Sequence, residues 1–221
     1  MKGILGTVLA LIGVVLAILA LVGPWWVVNV DASFAGQTIK GVAEFRPFGA
    51  SASLQTPAGS VTNTTDYKSS PHTGSVFLAG AALVALGIVF GALQVVVGFA
   101  SKSMPRLRRI GAAMGILAFL VVLLAAVYVM ASLPDAVNRD GNATALGGAS
   151  VSGFWGSRSV SVLGITATVS WAASWAWYVV LVAAIVFLIG GAVAFRPTPS
   201  PQTPPIPAPM AEPPMGPPRS P

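Results

Sequence analysis

Four long apolar runs without a single Asp, Glu, Lys, Arg or His limit the folds open to this chain. The runs lie at about residues 3–23, 75–100, 110–133 and 171–195. A helix needs about 20 consecutive, mostly apolar residues to cross the hydrocarbon core of a bilayer, and each run reaches that length. The sequence therefore predicts a membrane all-α fold, in which four helices form one bundle within residues 1–195.

The low content of charged residues agrees with a membrane fold and limits the chemistry of the chain. Only 8% of the 221 residues are charged, whereas soluble domains carry about 25%. Because cysteine is absent, disulfides, thiolate nucleophiles and thiolate metal sites are excluded. The first run is longer than the apolar region of a secretory signal, which is about 7–15 residues, and it ends at Pro24-Trp25-Trp26. We therefore interpret it as a retained helix.

Basic residues are concentrated on one side of the four runs. That side carries Lys2, Lys102, Arg106, Arg108, Arg109, Arg196 and Arg219 against one acid, Glu212. The positive-inside rule places this side in the cytoplasm. Both termini then lie on the cytoplasmic side of a plasma membrane, and the loops 24–74 and 134–170 lie on its outer side. We expect the link between the second and third runs, with four of these basic residues, to contact anionic lipid headgroups rather than nucleic acid.

Aromatic residues and glycosylation sequons fall on the predicted outer side. Trp25, Trp26, Trp171 and Trp175 lie near the outer ends of the runs. Tryptophan rings suit the headgroup layer, so these four residues are predicted interface anchors. Asn63 and Asn142 begin Asn-x-Thr sequons in the two outer loops.

Small residues recur along one face of each run, and the second run has the clearest stripe. Its members are Gly80, Gly87, Gly91 and Gly98. Helices in lipid associate largely through close approach at small residues, so this stripe predicts the tightest contact of the bundle. Spacings that sum to seven residues favour a left-handed bundle. Gln94 is the only side-chain amide within a run, and it predicts an interhelical hydrogen bond.

The two outer loops contain strand patterns that predict a small antiparallel sheet. Residues 26–34 alternate, and residues 38–45 return after a turn at 35–37. A second hairpin is expected to turn near Leu163-Gly164, with Phe154-Trp155 as a cover for the inner face of the sheet. Isolated hairpins are marginal in water, so the two should combine into one sheet. Residues 51–70, rich in Ser, Thr, Gly and Pro, are predicted to be irregular.

Four helices, internal termini and a larger first outer loop resemble the claudin-like tetraspan superfamily. Trp25-Trp26, the following strand and Gln37-Thr38-Ile39 are similar to the start of a claudin first loop. The Gly-Leu-Trp element of that family is missing, Glu44-Phe45-Arg46-Pro47-Phe48 stands near its place, and the paired loop cysteines are absent. The resemblance implies a role in adhesion, paracellular sealing or as an accessory subunit, and it transfers no individual site residue.

Residues 196–221 form a proline-rich tail that we predict to be disordered and cytoplasmic. Proline removes backbone donors and fixes φ, so extended polyproline II segments are expected there. Pro214, Pro217 and Arg219 match a Pro-x-x-Pro-x-Arg recognition pattern. Since prolines are dense throughout the tail, a solvated segment is the favoured interpretation and a specific ligand is the alternative.

No set of residues in the sequence points to catalysis. The four runs lack the ionisable groups that proton relays and ion pathways contain at membrane depth, and no Gly-x-Ser-x-Gly elbow occurs. We predict no enzyme activity, cofactor or metal. The leading hypothesis is a structural, adhesion or accessory/scaffold tetraspan that contacts other membrane proteins or itself. An oligomeric channel or transporter component, with a pore lined by residues such as Asp31 or Arg46, is the alternative, and a lipid-modifying enzyme has least support.

Overall fold

A computed structural model of the protein describes residues 2–34, 37–101, 107–141, 150–162 and 165–195. The described helices are α1 (Lys2–Val22), α2 (Pro71–Ala100), α3 (Leu107–Arg139) and α4 (Trp175–Phe195). The described strands are β1 (Trp26–Phe34), β2 (Gln37–Arg46), β3 (Gly49–Thr56), β4 (Gly59–Thr65), β5 (Gly156–Val162) and β6 (Ile165–Ala173), and a short 3-10 helix covers Tyr67–Ser69. The proline-rich tail with Pro214, Pro217 and Arg219 lies outside the described residues, as do Asn142, Lys102 and Arg106.

The four helices form one bundle in which each helix packs mainly against two neighbours. α2 contacts α1 and α3, and α4 contacts α3 and α1, so the helices close a ring in chain order. The α2–α3 contact is the most extensive of these. Within the described part of the chain, these are the four helices long and apolar enough to cross a membrane, which confirms the four predicted spans as helices.

Two of the helices extend beyond their predicted bounds at the end of the bundle that carries the sheet. α2 begins at Pro71 rather than residue 75, because proline suits a first turn and Asp140 accepts hydrogen bonds from the His72 N–H (3.0 Å) and the Thr73 N–H (2.7 Å). α3 continues past the predicted end at residue 133, through Pro134, to Arg139. Proline normally favours an end there, but Val137 is buried beside Trp26 and so continues the packed surface of α3.

The predicted start of the fourth helix at residue 171 is wrong. Trp171 belongs to β6, where it pairs with Val28 of β1, and the helix begins four residues later at Trp175. Apolar content alone does not separate a buried strand from the start of a helix that follows it directly. The β1–β6 pairing decides between them here, because it supplies the backbone of residues up to Ala173 with hydrogen-bond partners from another loop.

Six antiparallel strands form one sheet in the order β4-β3-β2-β1-β6-β5. Both predicted hairpins are confirmed, and the β1–β6 pairing joins the two loops into the single predicted sheet. Of the turns predicted at 35–37 and near Leu163-Gly164, residues 35–36 and 163–164 lie outside the described residues, and Gln37 is the first residue of β2. The prediction that residues 51–70 are irregular is wrong, because most of them form β3, β4 and the 3-10 helix.

The sheet has one apolar and one polar face, which the strand registers define. The apolar face carries Trp26, Val28, Val30, Phe45, Leu54, Val61, Val169 and Trp171. The polar face carries Asn29, Glu44, Arg46, Ser51, Ser53, Thr62, Thr64, Ser159, Thr168 and Ser170. Near the bundle, Trp26, Val28 and Trp171 are buried in the same core as Phe77 of α2 and Trp177 of α4. The sheet and the bundle therefore share one hydrophobic core.

Candidate binding surface of the sheet

The predicted glycine stripe of α2 lies at contacts with all three other helices. A Cβ added at Gly80 would lie 2.5 Å from Val129 of α3, and one at Gly87 would overlap Val122 of the same helix. A Cβ at Gly91 would overlap Phe187 of α4, and one at Gly98 would overlap Thr7 of α1. Each glycine thus gives a neighbouring side chain the space that its own side chain would otherwise fill.

Gln94 is buried where the small residues of the other helices meet, and the residue is only 2% exposed. Within the described chain, neither Oε1 nor Nε2 has a hydrogen-bond partner, so the predicted interhelical hydrogen bond is not observed. A Cβ at Gly115 would lie 2.8 Å from this amide, and one at Gly190 would lie 3.2 Å from its Nε2. Glycines surround the amide with bare backbone, and they leave a cavity of only about 20 Å³ beside it.

Three of the four predicted interface anchors are interior residues. Trp25 and Trp26 are fully buried, and their indole N–H groups donate to the Ala20 carbonyl (2.7 Å) and the Phe154 carbonyl (2.9 Å). Trp171 is also buried and donates to the Gly153 carbonyl at 2.9 Å. The physical reason is that both parts of each side chain have partners inside the protein. The apolar ring packs in the core, and the indole N–H donates to a backbone carbonyl. Trp175 is exposed, and its role as an anchor stays a prediction.

The backbone of residues 151–154 is held in place by hydrogen bonds with side chains of α3 and of the sheet. Asn138 donates from Nδ2 to the Val151 carbonyl (3.0 Å) and accepts from the Val151 N–H at Oδ1 (2.9 Å). Together with the indole bonds of Trp26 and Trp171, this places the buried Phe154 against the core, as the sequence predicted for the cover of the sheet. Trp155, predicted to share that role, is partly exposed and packs edge-on against Phe154 and Trp177.

Tyr67 ties the other side of the sheet to the bundle, and Asp140 ties the end of α3 to the start of α2. The Tyr67 hydroxyl donates to the carbonyls of Arg46 (2.6 Å) and Gly49 (3.1 Å), and its ring stacks on Phe77 of α2. Burial raises the pKa of Tyr67 well above its usual range, which keeps the phenol protonated as a donor. Burial also raises the pKa of Asp140, but hydrogen bonds from Thr73 and His72 outweigh that effect and leave this pKa below its ordinary value. Asp140 is therefore an ionised cap at neutral pH.

The part of the sheet that projects beyond these ties is an exposed apolar surface with an open edge. Leu54 is 47% exposed and Val61 is 69% exposed, although both share a face with the buried Trp26. Every residue of β4 is exposed, and β4 forms one edge of the sheet. An apolar recess of about 270 Å³ lies at the boundary between the covered and the open part, lined by Val30, Phe45 and Tyr67 among others.

The charged groups of the described chain lie outside the bundle core and form no metal site. Glu44 and Arg46 make an exposed ion pair of 2.9 Å, and so do Asp66 and Lys68. Among the described residues, no group of three His, Cys, Asp or Glu side chains is close enough to hold a metal ion. The predicted sequon residue Asn63 lies in β4, paired with Ala52.

The residues of the exposed apolar part of the sheet, and the polar residues that hold residues 151–154 and the start of α2 in place, were not identified from the sequence. Leu54 and Val61 stand in a segment whose other residues are small and polar, so its alternation was weak. A signal did exist, because Ala50, Ala52 and Leu54 alternate with Ser51 and Ser53. Asn138 and Asp140 carried no local signal, since their partners lie in other segments of the chain.

Neither the known protein-family models nor the curated protein sequences give a match to this chain. The relationship to the claudin-like superfamily therefore stays a prediction from the sequence.

Proposed function

We propose that the protein is a non-enzymatic, multi-pass membrane protein that associates with further copies of itself through the β4 edge of its sheet. Both termini are placed in the cytoplasm and the sheet outside the cell, as the asymmetry of basic residues predicts. The observation that carries the proposal is the uncharged, fully exposed strand β4 at the edge of a braced sheet.

The membrane location is supported by the outward-facing surface of the bundle. Large apolar side chains such as Leu11, Val96, Leu124 and Ile185, one from each helix, are about half exposed or more. Soluble monomers rarely expose contiguous apolar patches larger than a few hundred Å². A lipid environment covers such a surface without cost, and it also suits the small-residue contacts within the bundle.

The β4 edge supports self-association because, among the residues that the structure describes, nothing that normally blocks edge pairing is found there. Natural sheets protect their edges with charged side chains, prolines or covering segments. β4 reads Gly-Ser-Val-Thr-Asn-Thr-Thr, without a charge or a proline, and all seven residues are exposed. A second copy offers an identical edge, and the pairing of two identical edges closes as a symmetric dimer. Val61 and Leu54 add apolar contact beside the new backbone hydrogen bonds.

A cysteine scan of the two sheet edges tests this proposal, because the native chain has no cysteine. Thr62 is the central residue of β4, so edge pairing about it brings the two copies of this position within disulfide reach. We expect the Thr62→Cys variant to form a cross-linked dimer in proteoliposomes, and the Ser159→Cys variant on the β5 edge to stay monomeric. Adding Val61→Lys should abolish the Thr62→Cys dimer.

Cross-linking at Ser159 instead of Thr62, or no cross-linking at either position, would contradict the proposal. Vesicles that carry the Thr62→Cys variant separate two arrangements. Dimers formed within isolated vesicles indicate lateral assembly, whereas dimers formed only on vesicle contact indicate adhesion. Solute flux through proteoliposomes that contain this protein alone would favour the channel alternative.

A further inference from the structure

A groove of about 590 Å³ lies between the polar face of the sheet and the end of α1. Leu21 and Val22 of α1 form one wall, and Glu44 and Arg46 of β2 form another. Hydroxyl-bearing residues of β3 and β4, including Ser51 and Thr64, line the remainder. The groove thus joins an apolar helix end to a wall of charged and hydroxyl groups.

The apolar wall is continuous with the side of α1 that faces away from the bundle. Val22 is 67% exposed, and Val15, Ile18 and Leu19 are exposed along the same helix below it. In a membrane, an acyl chain that lies along this strip places its headgroup where α1 ends. Leu21 and Val22, at that end of α1, line the groove.

Phe48 lies on the sheet side of the groove. Its ring is 67% exposed in the turn between β2 and β3, although an aromatic ring of this size is normally covered. The turn is held in place, because Tyr67 donates to the carbonyls of both Arg46 and Gly49 and because Pro47 is buried. A fixed, exposed aromatic ring beside an apolar helix end suits the boundary between acyl chains and headgroups.

The charges in the groove select the type of headgroup. Arg46 Nη2 lies 2.9 Å from Glu44 Oε2, and both side chains are partly exposed. Exposed ion pairs of this kind contribute little to stability, so the guanidinium and the carboxylate both remain available to a ligand. A guanidinium binds a phosphate well, while a carboxylate with neighbouring hydroxyls accepts from an ammonium group. A purely anionic headgroup would meet the Glu44 carboxylate, so a zwitterion complements the pair better.

We propose that this groove binds the headgroup of a zwitterionic phospholipid that carries a phosphate and a primary ammonium group, with an acyl chain along α1. Arg46 contacts the phosphate, Glu44 and the hydroxyl groups accept from the ammonium, and Phe48 packs beside the glycerol region. The inference rests on the proposed crossing of the membrane by α1, and it is independent of the proposed pairing through β4.

Native mass spectrometry of the full-length protein, exchanged into mixed micelles with one lipid at a time, tests the site. We expect phosphatidylethanolamine to be retained more strongly than phosphatidylglycerol, and more strongly than phosphatidylcholine, which has no N–H donor. Arg46→Gln should weaken phosphatidylethanolamine retention about tenfold, the factor expected for the loss of one charge-assisted hydrogen bond. Phe48→Ser should weaken it as well.

Matched variants separate the groove from general effects on the protein. Arg158→Gln removes an exposed arginine of β5 on the opposite face, and Val61→Ser removes an apolar side chain of the same exposure as Phe48. Both should retain phosphatidylethanolamine like the wild type. Arg46→Gln should keep the native thermal transition, because Tyr67 bonds to the backbone of Arg46 and not to its side chain.

Equal retention by Arg46→Gln and the wild type would overturn the proposal, as would preferential retention of phosphatidylglycerol. Failure of the lipid site leaves the Thr62→Cys cross-link unaffected, whereas release of the protein from membranes by alkaline carbonate would remove the premise of both proposals. The two failures are therefore distinguishable.

Discussion

Gly87 shows how a single hydrogen in place of a side chain sets the distance between two helices. Its α-carbon faces Val122 of α3 so closely that even a methyl group would overlap the valine side chain. Close approach allows many weak dispersion contacts along the pair, which is what holds helices together where lipid competes for every apolar surface. The α2–α3 contact is accordingly the most extensive in the bundle.

Gly87→Leu should therefore destabilise the protein, because the added side chain has no space between α2 and α3. Overpacking of a dense core typically costs about 1–3 kcal/mol, so the midpoint of thermal unfolding in detergent should fall clearly. Ala85→Leu, a matched change on the exposed side of the same helix, should leave the midpoint near the native value. Equal midpoints for the two variants would contradict this account of the stripe.

At the scale of elements, the sheet depends on a segment that has no regular structure of its own. Residues 151–154 connect to α3 through Asn138 and to two strands through Trp26 and Trp171, all by side-chain hydrogen bonds to backbone. Such bonds leave few buried backbone groups of the segment without partners. The segment therefore acts as a fixed layer between the apolar face and the bundle, although its residue pattern predicts neither helix nor strand.

Asn138→Ala should release this segment, since the backbone N–H and carbonyl of Val151 both lose their partner. The loss of a buried partner typically costs about 1–3 kcal/mol per group. We expect faster hydrogen exchange at Val151 to Phe154 and earlier proteolytic cleavage there. Asn138→Asp keeps an acceptor for the Val151 N–H but loses the donor, so its effect should be intermediate. Exchange that is unchanged in both variants would show that the tryptophans alone hold the segment.

At the scale of the whole molecule, charge and apolar surface divide the protein into three layers. The bundle presents apolar side chains outward, the two loops that supply the sheet carry five basic and five acidic residues, and most basic residues of the sequence belong to the termini and to the link between α2 and α3. This order matches a bilayer with a cationic cytoplasmic side. In the proposed topology, the β4 edge and the groove at α1 lie on the same side of the membrane.

Single cysteines should report this orientation. Asn63→Cys, in β4, should react with a membrane-impermeant maleimide added to intact cells, whereas Ser103→Cys, between α2 and α3, should react only after the membrane is opened. The Asn63 position is exposed, so a lack of reaction there cannot be attributed to burial in the monomer. The reverse labelling would overturn the proposed topology and place the sheet inside the cell.

The sequence by itself determined the helices, their number and the two hairpins nearest to them. Apolar runs without charge identify helices of membrane-spanning length because each run carries its own local signal, and alternation identified β1, β2, β5 and β6 for the same reason. The glycine stripe likewise identified the face of α2 that packs against its neighbours.

Only the tertiary structure decided which of these local signals prevail and how the parts fit together. β3 forms because β2 offers it a pairing edge, and β4 forms because β3 does. Trp171 joins a strand because β1 lies beside it, and α3 passes Pro134 because its last turns remain packed. Trp26 and Trp171, which look like interface anchors, become core residues once the backbone carbonyls of Phe154 and Gly153 accept their N–H groups. These outcomes depend on contacts between residues far apart in the chain, which local pattern and composition do not encode.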